Sequence, residues 1–141
     1  MSEEKIIKVE GLSTRLSNQD VLEKISFSAY KGEVTVILGG SGSGKTTLLK
    51  SMLGLFSAYE GKVNILGKSL FDLDEKELDE LYLNLGVFYQ EGALLNSLTV
   101  GENIALPLEQ HSTLTPELIE YVVRMKRNMV NIEYALDLYT I

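Results

Sequence analysis

The chain has no cysteine and no tryptophan, only two prolines, and a single histidine among its 141 residues. Without cysteine there are no disulfides and no thiolate metal sites, which is compatible with a reducing compartment. No apolar run approaches the roughly 18 residues that a bilayer-spanning helix needs. The start, Met1-Ser2-Glu3-Glu4-Lys5, is acidic and polar, unlike a secretory signal. Positive charge is scarce too: 13 Lys and Arg stand against 20 Asp and Glu, for a net charge of −7, and the basic residues are scattered. A nucleic-acid surface is basic along one face, so no nucleic-acid partner is expected. What remains is an ordinary globular balance, 45% apolar and 23% charged, in a length that suits one domain with a real core.

The informative stretch runs from Val34 to Leu53. Val34-Thr35-Val36-Ile37-Leu38 reads as a buried parallel strand, and Leu48, Leu49, Met52 and Leu53 give an apolar side to a following helix. Between them, Gly39-Gly40-Ser41-Gly42-Ser43-Gly44-Lys45-Thr46-Thr47 satisfies G-x-x-x-x-G-K-[ST] with Gly39, Gly44, Lys45 and Thr46 at the fixed positions. Glycines reach backbone conformations closed to other residues, so successive N–H groups can turn inward around a phosphate. A helix beginning near Gly44 adds unpaired N–H donors and about half a positive charge. Lys45 brings a full charge able to reach β- and γ-phosphates, and the Thr46 hydroxyl suits Mg²⁺. Thr47 reads as a helix residue rather than a second ligand. The bland alternative is a glycine-rich turn that merely joins strand to helix; with both flanks in place the reading taken is a nucleotide-phosphate site.

Elsewhere the pattern is β-rich before residue 38 and α-rich after residue 92. Ile6, Ile7 and Val9 begin a strand with a bend at Gly11, Ser17-Asn18-Gln19-Asp20 is a turn, and Val21 to Ala29 continue as strand. Gly54 is a helix stop, and Lys62 to Leu66 form a short strand. Asp74 with Glu77, and Thr99 with Glu102, are helix-start pairs. Leu85-Gly86-Val87-Phe88-Tyr89 reads as a second buried strand, Thr115-Pro116 opens another helix, and Val130 to Tyr139 are expected to be helical. The fold class is therefore α/β with an appended antiparallel sheet.

Gln90 ends the second buried strand, and an amide there can ligate Mg²⁺ through its oxygen or hold a water. With Gln90 the motifs become a set. Phe27 through Thr47 resembles the opening of an ABC-type ATPase, with Gly32-Glu33 ahead of the strand. Val87-Phe88-Tyr89-Gln90 looks like the Q-loop of that family, and Leu98-Thr99-Val100-Gly101-Glu102-Asn103-Ile104 is similar to its "LTV-x-EN" segment. The resemblance covers about residues 6 to 125. A finer one, carried by Gly92-Ala93-Leu94-Leu95 and by Pro107 to Ser112, is to ATPases of the Mla/Mce type, the toluene-tolerance group that energises bacterial phospholipid transport. Lipoprotein-releasing and amino-acid-import ATPases are the alternatives within the family, and a soluble ABC-type ATPase acting on nucleic acid or ribosomes is the alternative outside transport.

The resemblance implies a P-loop NTPase core with an N-terminal β-subdomain over residues 1–92 and the start of a helical subdomain over residues 93–141. It implies that Gly39, Gly40, Ser41, Gly42, Ser43, Gly44, Lys45, Thr46 and Thr47 cradle ATP, and that Thr46 and Gln90 hold Mg²⁺, with Lys45 and Gln90 acting in catalysis. It further implies a second ATPase subunit as homodimer partner, a transmembrane permease, and a place in the cytoplasm on the inner face of the membrane, with only indirect membrane contact. Leu16 stands where most of the family has an aromatic that stacks on adenine, with Thr14 as the alternative register, and Gly40 replaces a common proline. No LSGGQ-like signature, strand ending in Asp-Glu, or switch histidine is found; His111 lies in a polar loop, and Glu91 ends no strand of its own. The chain is thus expected to be the first half of an ATPase domain, able to bind nucleotide. Loss of a transition-state element costs about 10³–10⁵ in rate, so negligible turnover is expected of it alone.

Overall fold

Two long strands open the chain, β1 (Lys5–Leu16) and β2 (Gln19–Tyr30). The computed structural model describes residues 4–90 and 92–140. The strands are joined by Ser17 and Asn18 alone, with φ of 47° and 63°. Two successive left-handed residues twist the turn in the sense that antiparallel strands require. Beyond the turn, Arg15 faces Asp20 across the ladder and donates to its carboxylate from Nε and Nη2 at 2.8 and 3.1 Å.

The remaining strands are β3 (Ala58–Ile65) and β4 (Lys68–Ser69), in the antiparallel order β2-β1-β3-β4. Val9, Leu12, Val63 and Ile65 are buried at its centre. The bend read at Gly11 is a break in register rather than an end of the strand, because β1 slips between Val9 and Leu12. Gly61 occupies the same spot on β3: a Cβ there would lie 2.6 Å from the Gly11 carbonyl oxygen. Only glycine fits.

Helix α1 (Lys45–Met52) buries Leu48, Ser51 and Met52. It stops at Gly54, whose N–H donates to the Ser51 carbonyl while that of Leu55 donates to Lys50. This pair of bonds, closed by a left-handed glycine at φ 71°, satisfies the last carbonyls of the helix. Helix α2 (Glu75–Tyr82) starts as expected, Asp74 Oδ1 accepting from Glu77 N–H and Glu77 Oε2 from Asp74 N–H.

Val34 to Leu38 and Leu85 to Tyr89 form no strand. Alternation and β-branching report a tendency to be buried in a sheet, but a strand exists only where a neighbour completes its hydrogen bonds. Among the described residues neither segment has such a neighbour, and Val34, Leu38 and Phe88 are 90%, 87% and 88% exposed.

The contacts group the chain into one unit ending at Leu81 and a second beginning at Tyr82. In the second, α3 (Val100–His111) begins with a capping box: Thr99 Oγ1 accepts from Glu102 N–H at 3.2 Å, and Glu102 Oε2 accepts from Thr99 N–H at 2.7 Å. Helix α4 (Pro116–Met129) has proline at its first position and buries Ile119, Val123 and Arg127. The helix expected over Val130 to Tyr139 is absent except for a 3₁₀ turn at Glu133–Ala135. Asn131 is left-handed at φ 58°, and Arg127 Nη1 donates to the Glu133 carbonyl at 2.8 Å. The carbonyls of Leu136 and Leu138 then accept from Gly101 and Val100 N–H at 3.1 and 2.8 Å. Those carbonyls cap α3, so they are not available to continue a helix.

Candidate phosphate site

The loop from Gly39 to Gly44 is shaped by two left-handed glycines, Gly42 at φ 77° and Gly44 at φ 87°, and by one backbone bond, Ser43 N–H to the Gly40 carbonyl at 3.3 Å. Gly44 is the N-cap of α1 and has no side chain to occupy the first-turn N–H groups. Its bareness is enforced by packing. A Cβ there would lie 3.1 Å from Leu22 Cδ2 and 3.3 Å from the Val21 carbonyl oxygen, so the loop sits directly against β2. At Gly39 a Cβ would collide with Ser43 Oγ.

Lys45 folds back over the loop. Its ammonium donates to the carbonyls of Gly39 and Gly40, each at 2.6 Å, and to Ser43 Oγ at 3.3 Å. Among the described residues, α2, α3 and α4 carry an acidic side chain in the first turn, and α1 carries none. In a chain of net charge −7, the N-terminus beside Lys45 is free of carboxylates. Anion binding favours that arrangement. Ser41, Thr46, Gly39, Gly40 and Gly42 are exposed, and Gly44 and Thr47 are half-buried. Together these residues suit a polyphosphate: N–H donors at the start of α1, the Lys45 ammonium and the exposed Thr46 hydroxyl.

The family model described as ABC transporter matches residues 22–139. The chain belongs to the ABC transporter family. Among curated relatives it is 32% identical over 133 residues to the "Intermembrane phospholipid transport system ATP-binding protein MlaF" of Haemophilus influenzae, covering 94% of this chain and 50% of that protein. It is 34% identical over 126 residues to the "Probable ribonucleotide transport ATP-binding protein mkl" of Mycobacterium leprae, covering 89% of this chain and 36% of that one. Among solved structures, the ATP-binding cassette MJ0796 bound to ADP and Pi aligns with a TM-score of 0.83 at 26% identity, over 94% of this chain and 61% of that one. The chain thus spans about half the length of the first of these curated relatives.

As in other members of the ABC transporter family, the fold is α/β with an antiparallel sheet. Leu16 lies at the β1–β2 turn, partly exposed, and pairs with Gln19. Thr14 is fully buried, and its Oγ1 lies 3.0 Å from Ser51 Oγ on α1. It has no surface to offer a base. That hydroxyl pair was not read from sequence; a serine interrupting the Leu48–Met52 stripe was its signal. Gln90 is exposed and belongs to the second unit, Thr46 to the first. Gly92 N–H donates to the Tyr89 carbonyl at 3.0 Å beside it, and Glu91 lies outside the described residues. His111, in the last turn of α3, is exposed.

The "EN" pair of the family segment has a structural explanation. Glu102 completes the capping box. Asn103 Oδ1 accepts from Leu95 N–H at 2.8 Å, and its Nδ2 faces the carbonyls of Leu95, Leu98 and Thr99 at 3.0 to 3.3 Å. One amide therefore ties the loop from Leu95 to Thr99 onto α3. Among the described residues no three His, Asp or Glu gather as a metal site, and no helix is long and apolar enough to cross a membrane.

Proposed function

We propose that this chain is the nucleotide-binding part of an ABC transporter ATP-binding subunit, with Gly39 to Thr47 as the triphosphate cradle. The observation that carries the reading is the Lys45 ammonium held by carbonyl oxygens at the mouth of a carboxylate-free helix N-terminus. Phosphate oxygens are stronger acceptors than carbonyls, so the same donors can pass to them without rebuilding the loop. Lys45 neutralises phosphate charge, the first N–H groups of α1 orient the phosphates, and the Thr46 hydroxyl would hold Mg²⁺. Bound Mg²⁺ supplies charge neutralisation across the phosphates.

In the full-length protein the chemistry is ATP hydrolysis coupled to transport, with a second ATPase subunit and a transmembrane permease as partners at the cytoplasmic face of the membrane. Phospholipid is the proposed cargo. Support comes from the likeness to MlaF and from the Gly92–Leu95 and Pro107–Ser112 segments, while other similar proteins are named for ribonucleotide transport and methionine import. Calorimetric titration with Mg-ATP tests the site: saturable binding is expected, lost in Lys45→Ala, with negligible steady-state turnover. Binding that survives Lys45→Ala unchanged would overturn the site, and turnover that the substitution abolishes would overturn the expected inactivity of the chain alone. Co-purification of the full-length protein with a permease and a lipid-binding Mce protein tests the cargo.

A further inference from the structure

Helix α4 has two apolar sides. One is buried, through Ile119 and Val123. On the other, Leu118, Tyr121, Met125 and Met129 follow one another at helical spacing and are 50%, 67%, 42% and 69% exposed. The outer side of a surface helix is ordinarily polar. One exposed apolar residue needs no explanation, but a continuous row of them marks a contact surface. A hollow of about 410 Å³ opens in this row, lined by Tyr121, Met125, Asn128 and Met129. Four residues of one helix, spread over about two turns, are the hole that a knob on a facing helix enters.

Charge along one flank of the row is divided by position. Glu117 stands in the first turn, and Arg124 follows about two turns later on the same flank. Glu117 is bonded to the Thr115 hydroxyl beside it and has no ion-pair partner among the described residues. Arg124 donates from Nη2 to Glu120 at 2.9 Å, an exposed pair that leaves further N–H donors on the guanidinium.

We propose that this face is an interface between two copies of the chain, their α4 helices packed antiparallel about a two-fold axis near Tyr121 and Val122. In that register Leu118 of each copy enters the hollow of the other and meets Met125, and Glu117 of each lies beside Arg124 of the other. A two-fold contact has to be complementary to itself. This face is: one helix carries both the knob and the hole, and both signs of charge. Parallel packing would set hollow against hollow and Leu118 against Leu118. The contact uses no residue of the phosphate loop, so it can fail while the nucleotide site stands, and the reverse.

Sedimentation equilibrium of the chain, with and without Mg-ATP, is the test. A reversible monomer–dimer equilibrium is expected, with the same dissociation constant in both conditions. Each side chain acts twice in a two-fold contact, so Glu117→Arg or Arg124→Glu alone should weaken the dimer about tenfold. Both reversals in one chain should recover most of that loss; the two residues are too far apart on one helix to pair with each other. Met125→Glu, which puts a charge in the hollow, should leave monomer. Val36→Glu, on the exposed segment of the first unit, should change nothing. A monomer at every concentration, a dimer that forms only with Mg-ATP, or one that Val36→Glu abolishes overturns the proposal. So does a monomeric chain that binds phosphatidylglycerol vesicles through this face and loses them in Met125→Glu. Because the chain has no cysteine, mixing Leu118→Cys with Met125→Cys chains gives a second measurement that needs no charge variant. Disulfide-linked mixed dimers under mild oxidation support the antiparallel register, and linking as strong within either variant alone refutes it.

Discussion

Removing the hydroxyls of Thr14 and Ser51, singly and together, tests how α1 is held to the sheet. Both residues are fully buried, and their oxygens lie 3.0 Å apart. Thr14→Val keeps the shape and takes away one oxygen, leaving Ser51 Oγ in the interior without a partner. That costs about 1–3 kcal/mol, the desolvation of a polar group no longer repaid by a bond. Ser51→Ala strands Thr14 Oγ1 in the same way. In the double variant both polar atoms are gone, and replacing a buried pair by apolar groups is close to neutral. The cycle should therefore show coupling of about 1–2 kcal/mol, with the double variant more stable than either single one. For a unit of this size each kcal/mol moves the melting midpoint by about 4–8 °C. Circular-dichroism melts and urea titrations of the four proteins provide the measurement. A Thr14→Val midpoint equal to that of the unsubstituted chain, or two losses that simply add, would refute the pairing and leave Leu48 and Met52 as the anchors of α1.

Three further outcomes are expected. Leu16→Tyr places a ring at the β1–β2 turn, and stacking worth about 1 kcal/mol should tighten Mg-ATP binding about fivefold by calorimetry; unchanged affinity would show that the turn does not face the base. Gly44→Ala forces a side chain into φ 87° and against the Val21 carbonyl, so a loss of about 2 kcal/mol in urea unfolding is expected, and a neutral result would exclude close packing of the loop on β2. The Glu102 carboxyl is held below its usual range, first by the Thr99 N–H and then by the Thr99 hydroxyl. A depressed folded-state value means that its contribution is present above the unfolded value near 4.5 and is lost as pH falls through the folded one. Acid titration of helicity should thus show an added loss below about pH 4.5 that Glu102→Gln lacks; identical acid limbs would remove the capping box from the account.

Local chemistry was legible in the sequence. The Ser17-Asn18 turn, the Asp74/Glu77 and Thr99/Glu102 pairs, Pro116 and Gly54 each depend on residues within one turn of themselves, and each lies where its residue type predicts. Features settled by distant neighbours were not legible. Val34 to Leu38 have the composition of a buried strand and no ladder partner among the described residues. Val130 to Tyr139 have helical composition, but the carbonyls of Leu136 and Leu138 are taken by α3. In the candidate site the loop and Lys45 follow from the motif. The curl of the ammonium onto Gly39 and Gly40 does not, since it reflects which acceptors the folded loop brings near. Burial of Thr14 likewise depended on a serine 37 positions away.

Asn103 has a consequence for what the motif tolerates. Its amide nitrogen is surrounded by three carbonyl oxygens, and its amide oxygen meets an N–H. Deamidation exchanges that nitrogen for oxygen. The group that gathered three carbonyls would then repel them, and the segment from Leu95 to Thr99 would spring from α3 without any change of bulk. A motif asparagine outside the phosphate loop is in this sense irreplaceable by its own isostere, because the approach to α3 is gathered by an amide nitrogen that aspartate lacks.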